Sequence, residues 1–191
     1  MYPADRAHLE PVVDEANVMS RLLDDLQTLS TAEAGALHLR REVTEPGELV
    51  ADAVAAFRAR AASSGIDLEQ QVGADLSAVD VDRVRIGEVL ANLLVNAMRH
   101  TPSGGSVVVG AEQAGNGWVA FSVHDTGSGV APEVLPHVFD RFVKAPDSGG
   151  AGLGLAIARS LVEAHGGEIS AESRPERGTT MRFTVPAAVT P

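Results

Sequence analysis

Apolar residues near the start of the chain follow the spacing of one long amphipathic helix. Between His8 and about Thr31 they recur in alternating steps of three and four residues, which is typical of a coiled coil or helical bundle. The seam consists of Val12, Ala16, Met19, Leu22 or Leu23, Leu26 and Leu29. A single helix cannot bury such a seam alone. We therefore expect it to dimerise, to pair with another chain or to fold back on the residues that follow it.

Shorter periodic segments fill the rest of the chain. Helical spacing predicts amphipathic helices at residues 48–63, 88–101 and 153–165. Pro46 and Gly65 are expected to bracket the first of them, and Asp80 or Asp82 to cap the second. Alternation of apolar and polar residues predicts strands at residues 37–43, 66–72, 76–81, 106–113, 118–124, 168–173 and 179–186.

These elements predict an α/β fold. Three helices can cover only one face of a sheet, so we expect a two-layer α/β sandwich with a mixed sheet of about five strands. The long N-terminal helix precedes this sandwich. We divide the chain accordingly into residues 1–36, which hold the helix, and residues 37–191, which form the sandwich domain.

Composition narrows the functional classes. The net charge of -11 argues against sequence-independent nucleic-acid or anionic-membrane binding, because such binding needs a basic face. The chain has no cysteine, which excludes a disulfide framework, a thiolate metal site and a cysteine nucleophile. No apolar run approaches the roughly 20 residues of a membrane helix. We expect a cytoplasmic fragment without a membrane segment, compatible with a longer protein that is anchored elsewhere.

Two asparagines distinguish the helix predicted at residues 88–101. Glu88, Asn92 and Asn96 are four residues apart and therefore share one stripe beside the apolar face. Two interpretations are open: the amides bridge to neighbouring backbone, or they hold something polar such as a hydrated cation with phosphates. Arg99 and His100 follow at the end of the helix, before Pro102 stops it.

Two glycine-rich segments follow in the second half of the chain. Asp125-Thr-Gly-Ser-Gly129 ends a strand, where a carboxylate can accept a hydrogen bond from a planar amine such as the amino group of adenine; the alternative is a tight Asp-Gly turn. Gly150-x-Gly152-x-Gly154 opens a helix, whose first N–H groups can cradle phosphate. Its spacing is not that of a Rossmann loop. Between the two segments only a short helical turn is predicted, at residues 133–142.

In this order, the motifs resemble the ATP-binding catalytic domain of sensor histidine kinases, within the GHKL (Bergerat-fold) ATPases. The matching segments are residues 92–101 for the N box, 125–130 for the first glycine box, 139–142 for the F box, 150–157 for the second glycine box and 178–179 for the last Gly-Thr motif. Residues 8–36 also resemble the second helix of the family's dimerisation and phosphotransfer hairpin. The resemblance therefore covers essentially the whole chain.

The resemblance implies a binding site for ATP and Mg²⁺. Asn96 would ligate Mg²⁺ that bridges the phosphates, with Asn92 beside it, and Arg99 would reach a phosphate; these are the implied catalytic residues. Asp125 would take the adenine amino group, with Thr179 supporting it directly or through water. Further nucleotide contacts are implied for His100, Gly127, Gly129, Val130, Phe142, Lys144, Gly152, Leu153, Gly154 and Leu155.

One position separates transfer of phosphate from hydrolysis. In gyrase-like and chaperone-like members of the GHKL class, a glutamate four residues before the magnesium asparagine activates water. Here that position is Asn92, and an amide cannot be a general base. Glu88 lies one turn too early. The resemblance therefore implies a protein-histidine kinase of a two-component system.

The phosphoacceptor is not found in this chain. The family carries it in a preceding helix within His-Glu/Asp-x-x-x-Pro; only His8 precedes a carboxylate and a proline, at the wrong spacing, so we read His8 as a surface residue at a helix start. The resemblance implies a histidine-bearing domain in the same longer protein or in a separate one, a response regulator, and a homodimer or heteromer through residues 8–30. The alternative is a nucleotide-binding and dimerisation scaffold without catalysis.

Overall fold

The computed structural model describes residues 6–115, 117–143 and 151–189. In these ranges the helices are α1 (Arg6–Glu33), α2 (Pro46–Ser64), α3 (Arg83–His100) and α4 (Gly154–Ala164), with a short 3₁₀ turn at Leu135–His137. The strands are β1 (Glu42–Thr44), β2 (Asp67–Val72), β3 (Val79–Val81), β4 (Ser106–Gln113), β5 (Trp118–Asp125), β6 (Ile169–Ser173) and β7 (Thr179–Pro186). No helix in the described part is long and apolar enough to cross a membrane.

The main sheet has five strands in the order β2-β4-β5-β7-β6. The β2–β4 pair is parallel and the other pairs are antiparallel, so the sheet is mixed as predicted. Helices α2, α3 and α4 supply the second layer, and their apolar faces pack on the alternate, inward-pointing residues of the strands. Phe121 and Phe183 stack at the centre of this core, with ring centroids 5.1 Å apart. The predicted two-layer α/β sandwich is confirmed.

Local signals correctly predicted the ends of the helices. Pro46 is the first residue of α2, and Gly65 ends it in the left-handed region at φ 67°. Asp82, one of the two predicted caps, caps α3 by accepting from the N–H groups of Val84 and Arg85.

The strand predicted at residues 37–43 is wrong over most of its length. Only Glu42–Thr44 is a strand, and it pairs with β3 in a separate two-stranded sheet. Upstream, the backbone N–H of Arg40 donates to the Asp82 carboxylate at 2.9 Å, so it is not available for a strand ladder. The strand predicted at residues 76–81 is likewise shortened to Val79–Val81.

The predicted apolar seam of α1 is buried in one part and exposed to solvent in another. Leu29 is 2% exposed and packs in the core together with Leu22, where α1 lies against α4. Met19, Leu23 and Leu26 remain 65%, 66% and 47% exposed. The helix therefore folds back on the following domain through one side and leaves an apolar stripe on another. The side chains of His8 and Val12 lie outside the described part, and the domain boundary after residue 36 stays a prediction.

A buried histidine joins the two helices that carry the predicted motifs. His165 follows α4, and its Nδ1 lies 2.7 Å from the carbonyl of Leu161 while its Nε2 lies 3.1 Å from the backbone N of Asp82. Nδ1 therefore carries the proton and donates, and Nε2 accepts. The Asp82 side chain caps α3 and also holds Arg40 of the segment after α1. This junction positions the start of α3, the end of α4 and the α1 connection against one another.

The junction predicts a loss of stability in mild acid. Burial lowers the pKa of His165, more than the Leu161 carbonyl raises it; Arg41 lowers it further, and Asp82 and Asp80 raise it. A base whose folded pKa is lowered stabilises the fold above its ordinary pKa of about 6.5, and this contribution is lost as the pH falls below that value. We expect the free energy of unfolding to fall from about pH 7 to about pH 5. In His165→Gln, which cannot titrate, this slope should flatten.

The control is His38→Gln, at an exposed histidine whose ring contacts the Ala36 carbonyl. Urea titrations at each pH should show that its free energy of unfolding depends on pH as in the wild type. An unchanged slope in His165→Gln would contradict the assignment.

Candidate functional site

The amide stripe of α3 lies beside the start of α4. Asn92 and Asn96 are both half-buried, next to the fully buried face formed by Leu93, Leu94 and neighbouring residues. Oδ1 of Asn92 lies 3.1 Å from the position that a Cβ on Gly154 would take. Glycine at the first position of α4 therefore lets this helix start approach the Asn92 amide closely. The two predicted motifs, far apart in sequence, meet here.

Asp125 is held with one oxygen bonded and the other available. Its side chain is 4% exposed, and Oδ1 accepts from the N–H of Gly127 at 2.9 Å and of Thr179 at 3.2 Å. Among the described residues Oδ2 has no hydrogen bond. Burial raises the pKa of Asp125, although the N–H groups of Gly127 and Thr179 and the nearby His124 and His100 lower it in part. A buried carboxylate oriented this way presents one free acceptor.

Three glycines let backbone pack closely around Asp125. A Cβ on Gly127 would collide with the carbonyl oxygen of His100, and one on Gly129 would collide with that of Arg174. Gly178 has φ 84°, and a Cβ there would collide with the Asp125 carbonyl. The predicted glycine positions thus close the turn after β5 against α3 and against the β6–β7 turn. Val130 donates its N–H to Ser173 Oγ in the same region.

The end of α3 joins the first glycine segment. The carbonyl of His100 accepts from the N–H of Ser128 at 3.3 Å. His100 is half-buried, and its burial together with the positive charge of Arg99 lowers its pKa, with Asp125 opposing this. The imidazole is therefore neutral at pH 7. Arg99 is exposed at the same helix end.

The second glycine segment is held by the end of the F box. The carbonyl of Gly152 accepts from the N–H of Phe142 at 2.9 Å, and the backbones of Gly152 and Phe142 both have positive φ, 70° and 62°. The Phe142 ring is 64% exposed. Leu153 is buried in the core and Leu155 is half-buried, so these two would reach a ligand through backbone groups. The predicted contact Lys144, and Gly150, lie outside the described residues.

The contacts above bring together α3, the start of α4, the end of β5 and the start of β7. Sequence reasoning did not find Ser173, whose hydroxyl contacts both Val130 and Thr179. A signal was available, because residues 168–173 and 179–186 were predicted as a hairpin, which places Ser173 opposite Thr179. The groups collected here are an acceptor for a planar amine, backbone N–H groups at a helix start, two amides and a cationic side chain. This set suits a purine nucleotide with its phosphates.

The sequence is similar to those of known proteins. A family model described as histidine kinase-, DNA gyrase B-, and HSP90-like ATPase matches residues 81–189. Sensor protein DivL of Caulobacter vibrioides is 36% identical over 186 residues, which are 97% of this chain and 24% of that protein. The signal transduction histidine-protein kinase BaeS of Escherichia coli is 36% identical over 177 residues, 90% of this chain and 38% of that protein.

A solved structure extends the likeness to the whole chain. Full-length ShkA in complex with AMPPNP has a TM-score of 0.90 and 28% identity over 100% of this chain and 41% of that one. The chain thus spans between 24% and 41% of the length of these relatives. The match of the family model over more than half of the chain shows the family: the chain belongs to the histidine kinase-, DNA gyrase B- and HSP90-like ATPases.

Proposed function

We propose that the chain is the catalytic fragment of a two-component histidine kinase. It binds Mg²⁺-ATP and transfers the γ-phosphate to a histidine on a hairpin or partner protein outside this chain, for relay to a response regulator. The observation that carries this proposal is Asn92, whose amide lies against the start of α4, where phosphates would bind. An amide at that place cannot deprotonate water, so the site favours transfer to an acceptor over hydrolysis.

The base of the nucleotide is assigned to the Asp125 pocket. The free Oδ2 of Asp125 accepts from the adenine amino group, and Thr179 supports the base directly or through water. Close approach of the nucleotide to backbone depends on Gly127, Gly129 and Val130. The pocket is preorganised, because Oδ1 is already fixed by two N–H groups.

The phosphates are assigned to the other end of the region. Backbone groups at Gly152, Leu153, Gly154 and Leu155 would hold them at the start of α4. Arg99 supplies positive charge, and the neutral His100 lies against the nucleotide without adding charge. Phe142 and Lys144 would close the site from the lid side. During transfer the acceptor nitrogen bonds to the γ-phosphorus as the β–γ bridging bond breaks and ADP leaves.

Magnesium is assigned to Asn96. The donor set fits, because an amide oxygen is a ligand that Mg²⁺ accepts and Mg²⁺ commonly completes its shell with phosphates and waters. The described residues contain no cluster of three His, Cys, Asp or Glu that could hold a metal ion. A metal at Asn96 therefore depends on the nucleotide phosphates. When bound, Mg²⁺ neutralises phosphate charge.

The exposed stripe of α1 supports a helical partner. Met19, Leu23 and Leu26 are spaced by four and three residues, and all are exposed. A stripe of this spacing buries itself against another helix. We propose a homodimer or heteromer through residues 8–30, in the cytoplasm, with a hairpin helix that carries the phosphoacceptor histidine.

Transfer can be tested directly with γ-labelled ATP. The chain, Mg²⁺ and a purified histidine-bearing hairpin are incubated, and label on the hairpin is measured. We expect acid-labile label on the hairpin and none when its acceptor histidine is replaced by glutamine. If the chain bound ATP without transferring label, the result would contradict the kinase function and favour a nucleotide-binding scaffold. If the chain did not bind ATP, the proposed site itself would be wrong.

A further inference from the structure

The connection, residues 34–41, joins α1 to β1. Its last two residues are hydrogen-bonded near the start of α3 and at the end of α4. The N–H of Arg40 donates to Oδ2 of Asp82, the cap of α3, at 2.9 Å. The Arg41 guanidinium donates to the carbonyl of Ala164, the last residue of α4, at 3.3 Å. These two bonds attach the end of the connection to the sandwich.

His165 adjoins both attachment points. It directly follows Ala164, and its Nε2 accepts from the backbone N–H of Asp82 at 3.1 Å. The residue is 1% exposed. The charged groups that act on its ring come from other elements: Arg41 lies on the connection, and Asp80 and Asp82 lie at the end of β3. The protonation of this one ring therefore bears on both groups that hold the connection.

A second proton on the His165 ring opposes both attachments. Nδ1 already carries a proton for the Leu161 carbonyl, so the added proton goes to Nε2. Nε2 then has no lone pair for the backbone N–H of Asp82, and two donors face each other. The imidazolium also repels the Arg41 guanidinium, and it attracts the Asp82 carboxylate, which holds the N–H of Arg40 while the ring is neutral. All three effects loosen the end of the connection.

We propose that His165 is a pH-sensitive latch: its neutral ring keeps the connection on the sandwich, and its protonation releases the connection. On release, Oδ2 of Asp82 changes its partner from the N–H of Arg40 to the protonated Nε2, and Arg41 leaves the end of α4. Oδ1 of Asp82 keeps the cap of α3, so the release is local. The released connection lets α1 change its orientation to the sandwich. The latch does not depend on the proposed nucleotide site.

Hydrogen exchange of the whole native chain, followed by NMR, tests the latch. The protection factor of the Arg40 amide is measured between about pH 7 and about pH 5, with and without low concentrations of urea. A release that takes up one proton lowers this factor by up to about tenfold per pH unit below the ordinary histidine pKa of about 6.5. Local release exposes less surface than unfolding. The Arg40 protection should therefore be lower than that of the β5 amides and should hardly depend on urea.

His165→Gln should remove the pH dependence of the Arg40 protection. The matched control is His38→Gln, at an exposed histidine on the connection itself, and it should keep the wild-type dependence. Persistence of the dependence in His165→Gln would overturn the proposal. In the wild type alone, two results would also overturn it: an Arg40 protection that does not change with pH, or one that equals the β5 protection and falls with urea in parallel.

Discussion

Replacing Asn96 by alanine is expected to abolish Mg²⁺-dependent ATP binding while the fold remains intact. The Asn96 amide is the side chain to which we assign the metal. Even a change in the groups that surround a metal ligand lowers metal affinity by about 10- to 100-fold. We therefore expect Mg²⁺-ATP to bind about 100-fold more weakly or not at all. Alanine has the higher helix propensity, by up to about 0.7 kcal/mol, so α3 should form as before. Calorimetric titration with and without Mg²⁺ measures the effect.

A matched amide replacement controls for this change. Gln71→Ala removes an exposed amide on the edge strand β2, away from the site. It should keep the wild-type gain in ATP affinity on adding Mg²⁺. If Asn96→Ala kept that gain as well, the metal would not be held by Asn96 and the placement of the site would be wrong.

Asp125→Asn is expected to exchange the base preference without unfolding the protein. The asparagine oxygen can take the place of Oδ1 and keep both N–H donors satisfied, whereas its NH₂ group replaces the free Oδ2. This donor would face the adenine amino group, which is also a donor. Losing a hydrogen bond to a charged group costs about 1.5–3 kcal/mol, so ATP should bind about 10- to 160-fold more weakly.

Two further measurements make this variant decisive. Burial raises the pKa of Asp125, so the ionised carboxylate lowers the free energy of unfolding at pH 7. Asp125→Asn removes this charge and should therefore unfold at an equal or higher urea concentration than the wild type. Inosine triphosphate carries an acceptor in place of the amino group and should lose less affinity than ATP. If the variant kept wild-type affinity for ATP, Asp125 would not read the base.

Elements with local causes were predictable from the sequence. The cap at Asp82, the start at Pro46 and the stop at Gly65 each depend on residues within one turn. The strand predicted at residues 37–43 failed for a long-range reason. Its alternating pattern is real, but the Arg40 N–H donates to Asp82, which lies 42 residues away in sequence.

The same contrast between local and long-range causes applies to the residues of the site. Polar residues beside an apolar pattern can be recognised from the sequence alone, which is why it predicts Asn92, Asn96 and Asp125 as site residues. The role of His165 could not be predicted, because it depends on the backbone N–H of Asp82, which lies 83 residues away in sequence. The contact between Asn92 and Gly154 and the hydroxyl pair of Ser173 and Thr179 also exist only once helices and strands have packed.

The most direct test is a crystal structure of the chain with Mg²⁺ and a non-hydrolysable ATP analogue. We expect the adenine amino group to lie about 3 Å from Asp125 Oδ2. We also expect Mg²⁺ on Asn96 Oδ1 at about 2.1 Å, with the phosphates at the start of α4. A nucleotide bound outside the region between α3, α4 and the ends of β5 and β7, or a metal ion held without Asn96, would contradict it.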